Sequence, residues 1–437
     1  MSSLADGTIY LSTPRADGLA MTYITRLPGP SSARTGGAGP WGPGQPPPMR
    51  FYTVSRGSWA VLHRSERRND NLLRSCSRSS FDLMSARKFL RGGSVPASAL
   101  FAVSDSSTVP SPWVVAGAVV GLPLALWAYK CLMMVLFQRK IIYMGGIPLG
   151  SRSEELRDNG REVVVNQVAI HGNSGKLSGI IVSRPGMAKS TRPPLVVMYL
   201  QGNAGNPLHR IPKFRLLAGD CTDNSEREVQ VIAVAPRSYW KSTQTSPSEA
   251  GFLSDYSAVL EWISNAYPNS PVVLYGHSMG GSIAVKLLGS LAASTQVQGL
   301  VIENAFTSIP AMVRTIYPSK WLPYYYLGPL VFDKWDALST IQQLSHGRPC
   351  ALRNVIRNPP SILIINSGND ELVPAETGRE MLDAASLVCQ GLSESLGTGT
   401  GPRRVVIPGA LHDDAFTKRQ WKDEMRAYLA KVATLDR

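Results

Sequence analysis

The sequence predicts a doubly wound α/β domain, preceded by one membrane-crossing helix and a basic N-terminal region with no fold of its own. Three observations predict it. Short β-branched runs alternate with amphipathic, helix-length segments after residue 161. An uncharged apolar run occupies Trp113–Tyr129. The first 112 residues are crowded with Gly, Pro, Ser and Arg.

The N-terminal region comes first. The stretch "LPGPSSARTGGAGPWGPGQPPP" (27–48) holds neither helix nor strand, because Pro removes donors, Gly raises the entropy cost and little is left to bury. Residues 1–112 hold 13 Lys/Arg against 6 Asp/Glu, so they carry +7 of the formal +14. Met49–Phe101 has 10 of those cations against Glu66, Asp70 and Asp82. That composition resembles an organelle-import presequence, but an internal position argues instead for a solvated basic linker. No nucleic-acid module accompanies the charge, so nucleic acid is not an expected partner. Five cysteines without C-x-x-C spacing give neither a zinc site nor a disulfide framework. No cofactor or metal is expected.

Residues 113–137 read as a transmembrane helix. About 20 apolar residues span a bilayer, and the run passes Lys130 to end at Phe137. Trp113, Trp127 and Tyr129 suit the membrane interfaces, and Lys130 can snorkel. Arg139, Lys140 and Arg152 follow closely, which favours a cytosolic C-terminal domain; Arg87, Lys88 and Arg91 pull the other way. The membrane is read as the endoplasmic reticulum or another endomembrane, with the mitochondrial inner membrane as the alternative.

Residues 138–437 read as the folded domain. Strands are predicted at Val163–Val168, Ile180–Val182, Leu195–Leu200, Val229–Val234, Val272–Tyr275, Leu300–Ile302, Ile362–Ile365 and Val405–Ile407. Several are continuous apolar runs, as in a sheet covered on both faces. Residues 248–267 have helical spacing, with Ser248 as N-cap. "SMGGSIAVKLLGSL" and "QWKDEMRAYLAKVA" read as helices too.

The chemistry starts at "YGHSMGGS" (275–282). A buried strand, a tight turn with small residues around a serine, and a helix make a nucleophile elbow. Ser278 is the candidate nucleophile. A serine needs a base. Of the six histidines, His412 follows the last strand, on a loop before the final helix. An orienting carboxylate is supplied by Asp370, in the loop after the strand "ILIIN", with Glu371 and Glu303 as rivals. Two N–H donors for an oxyanion are read as Met279, after the nucleophile, and Asn203 in "LQGNAGN".

The chain from about Arg139 resembles the membrane-anchored α/β-hydrolase-domain serine hydrolases of the bud-emergence-suppressor type, whose relatives include protein depalmitoylases and monoacylglycerol or lysophospholipid lipases. "QRKIIY", "LQGNAGN", "GHSMGG", "SGNDELVP" and "ALHDD" carry the resemblance. It implies the triad Ser278, Asp370 and His412 with oxyanion donors Asn203 and Met279. Departures are Gln201 where the family has His, "APRSYWKS" (235–242) where it has a Tyr-Arg-Gly-Tyr-Gly loop, and Asp413 where it has Asn. Residues 220–228, 345–358 and 391–403 read as inserted loops. The aromatic segment between Phe306 and Ile341 sits where such hydrolases place a cap, set here at about 306–345. The expected function is hydrolysis of an ester or thioester of a hydrophobic acyl substrate through an acyl-enzyme. The rival class is an inactive hydrolase fold serving as a membrane-tethered scaffold, and a peptidase on the same fold is a third reading.

Overall fold

A computed structural model describes residues 8–15, 18–25, 111–157, 162–185, 192–219, 221, 227–293, 296–345, 349–390 and 401–435, with backbone alone at 8–25. The chain divides into two compact units, Met1–Gly29 with Ala116–Arg437, and Pro30–Val115. Of the second unit only residues 111–115 are described.

Strands β1 (Thr8–Arg15) and β2 (Gly18–Thr25) pair antiparallel. The sequence reading places no element there, and the rest of the basic region lies outside the described residues. The apolar run forms α1 (Pro112–Leu136), a helix long and apolar enough to cross a membrane, with none of its residues buried. The short α2 (Gln138–Ile142) follows it.

The folded domain then runs β3 (Val164–Gly172), β4 (Gly175–Ser183), β5 (Leu195–Leu200), α3 (Ile211–Ala218), β6 (Val229–Val234) and α4 (Glu249–Ala266). It continues with β7 (Val272–His277), α5 (Met279–Ser290), β8 (Val297–Glu303), α6 (Ile309–Ile316), α7 (Ala337–Gln342) and α8 (Ala351–Arg357). The last elements are β9 (Ile362–Ser367), α9 (Glu376–Gln390), β10 (Arg403–Ile407) and α10 (Arg419–Ala433). One sheet takes the order β1-β2-β3-β4-β6-β5-β7-β8-β9-β10. From β6 to β10 all neighbours are parallel. The β3–β4 hairpin and its junction with β6 are antiparallel. Every residue of β5, β7 and β9 is buried, which is why these strands read as unbroken apolar runs. Ser248 caps α4 as its sequence implies, accepting from the Gly251 N–H at 3.1 Å.

The β3–β4 hairpin and one expected insertion differ from the sequence reading. β3 and β4 extend to a tight turn at Asn173-Ser174, through polar and Gly residues that carry no strand signal. The segment 345–358, read as an inserted loop, contains α8, which buries Leu352, Val355 and Ile356. The other two expected insertions fall largely outside the described residues.

Parallel strands deliver their connections to one edge, so β5, β7, β8, β9 and β10 all open onto the same rim. The cap leaves this rim after β8. It holds α6, two single turns at Pro323–Tyr326 and Gly328–Leu330, and α7. Trp335 pins it to the core, fully buried, its indole N–H donating to the Tyr143 hydroxyl at 3.0 Å. The end of α1 packs on the same cap. The Trp127 and Trp321 rings are 5.8 Å apart, and the Lys130 ammonium lies 4.7 Å from the Tyr324 ring centroid. Below them Gln138 donates to the Leu330 carbonyl and accepts from the Phe332 N–H. Arg139 pairs with Asp333 at 2.9 Å.

Candidate active site

Ser278 stands between β7 and α5 with φ 55° and ψ −123°. This left-handed geometry costs a non-glycine residue roughly 1–3 kcal/mol, so the surroundings must hold it. The Ser278 N–H donates to the Glu303 carbonyl at 2.8 Å, and its own carbonyl accepts from the Gly281 N–H at 3.0 Å. The two glycines of the motif are steric necessities. A Cβ on Gly276 would strike the Gly280 carbonyl, and one on Gly280 would strike the Leu200 carbonyl. The elbow is therefore squeezed between β5 and β8, and the serine is presented at the N-terminus of α5.

His412 is brought to the same edge by the loop after β10 and is buried. Its Nδ1 lies 3.0 and 2.9 Å from the two oxygens of Asp370. That pairing fixes the tautomer with the proton on Nδ1 and leaves Nε2 bare, the state a general base needs. Asp370 in turn accepts from the Leu372 and Val373 N–H groups, each at 2.8 Å. The carboxylate is thus oriented from two sides.

The rival acids do other work. Glu371 accepts from the His412 backbone N–H at 3.1 Å, so it holds the loop and not the ring. Glu303 is fully buried, 2.6 Å from the Lys213 ammonium of α3, and accepts a short hydrogen bond from the Tyr275 hydroxyl. Burial pulls the Lys213 ammonium below its ordinary range, with Glu303 opposing. Lys213 was missed by the sequence reading, since nothing local distinguishes a buried lysine from a solvated one.

His277 also went unassigned. Its Nε2–H donates to the His412 carbonyl at 3.0 Å, and the Asn304 amide donates to the same carbonyl at 2.7 Å. The base loop is thereby tied to the residue preceding Ser278. Asn304, itself at φ 49°, also bonds Ser367 through both side-chain atoms, joining the ends of β8 and β9. Burial, then the charges of Lys213 and Arg210, hold the His277 imidazole well below the usual histidine range. It is a neutral structural donor.

Asp413, where the family has Asn, meets Arg210 at 2.9 Å. Burial pushes its carboxyl up, but Arg210, His412 and Lys213 outweigh this and hold it below the usual range.

On the opposite side of Ser278 lies the loop after β5. A Cβ on Gly202 would sit 3.4 Å from the Ser278 Cβ. The Asn203 carbonyl accepts from the Met144 N–H and from the Tyr239 hydroxyl, both at 2.7 Å, which fixes the orientation of this peptide. Met279 opens α5, where the first N–H groups have no partner within the helix. Gln201 is buried, and neither of its amide atoms has a protein partner.

The loop 235–242 reaches positive φ without glycine. Ser238 and Trp240 stand at φ 67° and 40°. Trp240 is buried and its indole donates to the Glu154 carbonyl at 2.8 Å; the Ser238 N–H donates to the Thr243 carbonyl at 3.0 Å. Side-chain anchoring offsets the strain that glycine would have avoided.

The family model described as serine aminopeptidase, S33, matches residues 241–332, a window that holds Ser278 and omits Asp370 and His412. Protein bem46 of Schizosaccharomyces pombe is 29% identical over 241 residues, 54% of this chain and 71% of that one. Lysophosphatidylserine lipase ABHD12 of Danio rerio is 29% identical over 194 residues, and that of Gallus gallus 30%. The chain spans about half the length of these lipases, 47% of each. The esterase Pf2001 of Pyrococcus furiosus is similar at 17% identity and a TM-score of 0.43, over 63% of this chain and 96% of that one. The chain has the α/β-hydrolase fold and is similar in sequence to α/β-hydrolase proteins.

Proposed function

We propose that this α/β-hydrolase is a membrane-anchored serine hydrolase that cleaves an ester or thioester of a hydrophobic acyl chain. The observation that carries the proposal is the Asp370–His412 pair, its loop tied to the residue before a left-handed Ser278 at a helix N-terminus. Ser278 Oγ attacks the acyl carbonyl as His412 Nε2 takes its proton. Asp370 steadies the imidazolium that forms. The N–H groups of Met279 and Asn203 receive the oxyanion. Collapse of the tetrahedral adduct expels the alcohol or thiol with the proton from His412, leaving an acyl-enzyme that water cleaves by the same steps.

The hydrolase domain occupies 138–437 with its cap at about 306–345, and residues 113–137 anchor it in the endoplasmic reticulum or another endomembrane. The names of the lipase relatives favour a lipid carboxylic ester as substrate. The test is labelling of membrane fractions with a fluorophosphonate probe. Wild type is expected to label and Ser278→Ala not to. A folded wild type that takes no label overturns the assignment.

A further inference from the structure

The apolar helix α1 and the cap do not meet end to end. Contact begins at Trp127, against Trp321, and continues through Lys130 on Tyr324. Only Pro112 to Leu126 stands clear of the cap, a length of about 22 Å at 1.5 Å per residue. A hydrocarbon core is about 30 Å thick. The sequence before the helix cannot supply the difference, because Asp105, Ser106, Ser107 and Thr108 are polar. If α1 spans, the remaining ~8 Å must come from helix that runs alongside the cap. The cap rim then enters the membrane with it.

The surface of the domain is built for that position. Outside α1, the exposed large apolar side chains of the described residues fall on α2 and its flank, on the cap and on loops next to the site residues; Leu387 and Val406 are the exceptions. Trp321 and Phe332 project from the cap, 72% and 63% exposed. Leu149, 98% exposed, and Ile147 stand on a loop bonded to the Asn203–Gly205 segment. Leu372 and Leu411 lie exposed beside Asp370 and His412. An apolar patch of this kind on a soluble domain marks a binding surface. Its placement around the mouth of the site, in line with the membrane helix, selects lipid as its occupant. The Lys130 cation, set over an aromatic ring, suits the headgroup level.

We infer that the cap and the rim loops are inserted about 5–10 Å into the headgroup–acyl boundary, the depth common to interfacial elements, and that the site takes its acyl substrate directly from the leaflet. The inference rests on the membrane anchoring and hydrolase activity proposed above.

The test uses the full chain in phosphatidylcholine vesicles whose acyl chains carry bromine near the headgroup. The difference in fluorescence quenching between wild type and Trp321→Phe isolates Trp321. Strong quenching by the bromolipid with protection from aqueous acrylamide is expected; the reverse overturns the inference. This readout needs no turnover, so it is independent of the fate of the catalytic assignment. Release of wild type from vesicles by alkaline carbonate overturns the span, and the inference with it. As a second measurement, Leu149→Glu should lower the ratio of turnover on a vesicle-borne long-chain ester to turnover on a water-soluble short-chain ester about tenfold. An unchanged ratio overturns substrate uptake from the leaflet.

Discussion

Two buried carboxylates lie on the same side of the nucleophile strand, at the ends of neighbouring parallel strands β8 and β9, each gripping a base. Glu303, at the end of β8, holds Lys213; Asp370, beyond β9, holds His412. Burial and pairing are alike, yet only one pair suits catalysis. Glu303 is still within its strand, and its partner comes from α3 with aromatic rings of Tyr275 and Phe416 5.5 Å from the ammonium. That pair is enclosed in the interior, with Lys213 and Tyr275 both bonded to one carboxylate oxygen, Oε2. Asp370 lies past the strand end, and its partner is a two-ended ring. One nitrogen binds the acid and the other is left over. What makes a buried acid useful is a base with a second face, delivered by a loop that clears the sheet.

The largest test of this contrast is to exchange the acids' roles by mutation. Asp370→Asn should lower kcat for ester hydrolysis by up to ~10⁴, by analogy with other triads. Glu303→Gln should leave kcat within about tenfold, since its carboxylate bonds Lys213 and Tyr275 and not the His412 ring. Equal losses in steady-state assays would erase the distinction.

Stability should show the reverse order. Lys213→Met leaves Glu303 buried and unpaired, which should cost about 3–5 kcal/mol. The double variant Lys213→Met with Glu303→Gln should recover much of it, because no lone charge remains. Thermal unfolding in detergent micelles, read for the single and double variants, measures both. A double variant no more stable than Lys213→Met would mean that the charge of Glu303 is not the source of the loss.

The smallest effect concerns His277. Its folded-state pKa is held well below the ordinary 6.5. As pH falls below about 6.5 the unfolded chain takes up a proton that the folded chain refuses, so stability falls with falling pH, by at most ~1.4 kcal/mol per pH unit. His277→Gln keeps a donor for the His412 carbonyl and removes that proton. Its unfolding temperature should match wild type at pH 7.5 and decline less between pH 6.5 and 5. Parallel declines would show that His277 is not the titrating group.

Much of this was legible in the sequence, and the reason is local. The buried parallel strands betray themselves as continuous apolar runs, and the elbow by small residues around Ser278. Asp370 and His412 each follow such a run by a few residues, so chain order nearly suffices. What escaped depends on partners distant in sequence. Lys213 stands on α3, a helix the sequence reading did not mark, and only its meeting with Glu303, 90 residues on, makes it interior. Asn304 and His277 gain their meaning from a carbonyl more than a hundred residues away. α8 was hidden because a helix of seven residues has too few turns to show a period. Ser238 and Trp240 concealed a left-handed loop whose usual signature is glycine.

The contact between Arg139 and Asp333 extends further than the cap. Asp333 also accepts from the Glu249 N–H at 3.1 Å, and Glu249 pairs with Lys286 of α5 at 2.9 Å. The chain of contacts thus runs from the foot of α1 to α5, the helix that begins just after Ser278. A domain on a slack leash would sweep a hemisphere of cytosol or lumen. Braced like this, and with α1 in the bilayer as proposed, it would patrol a plane: its encounters would be set by lateral diffusion and by the crowding of the leaflet, and dilution of the surrounding fluid would leave its workload untouched.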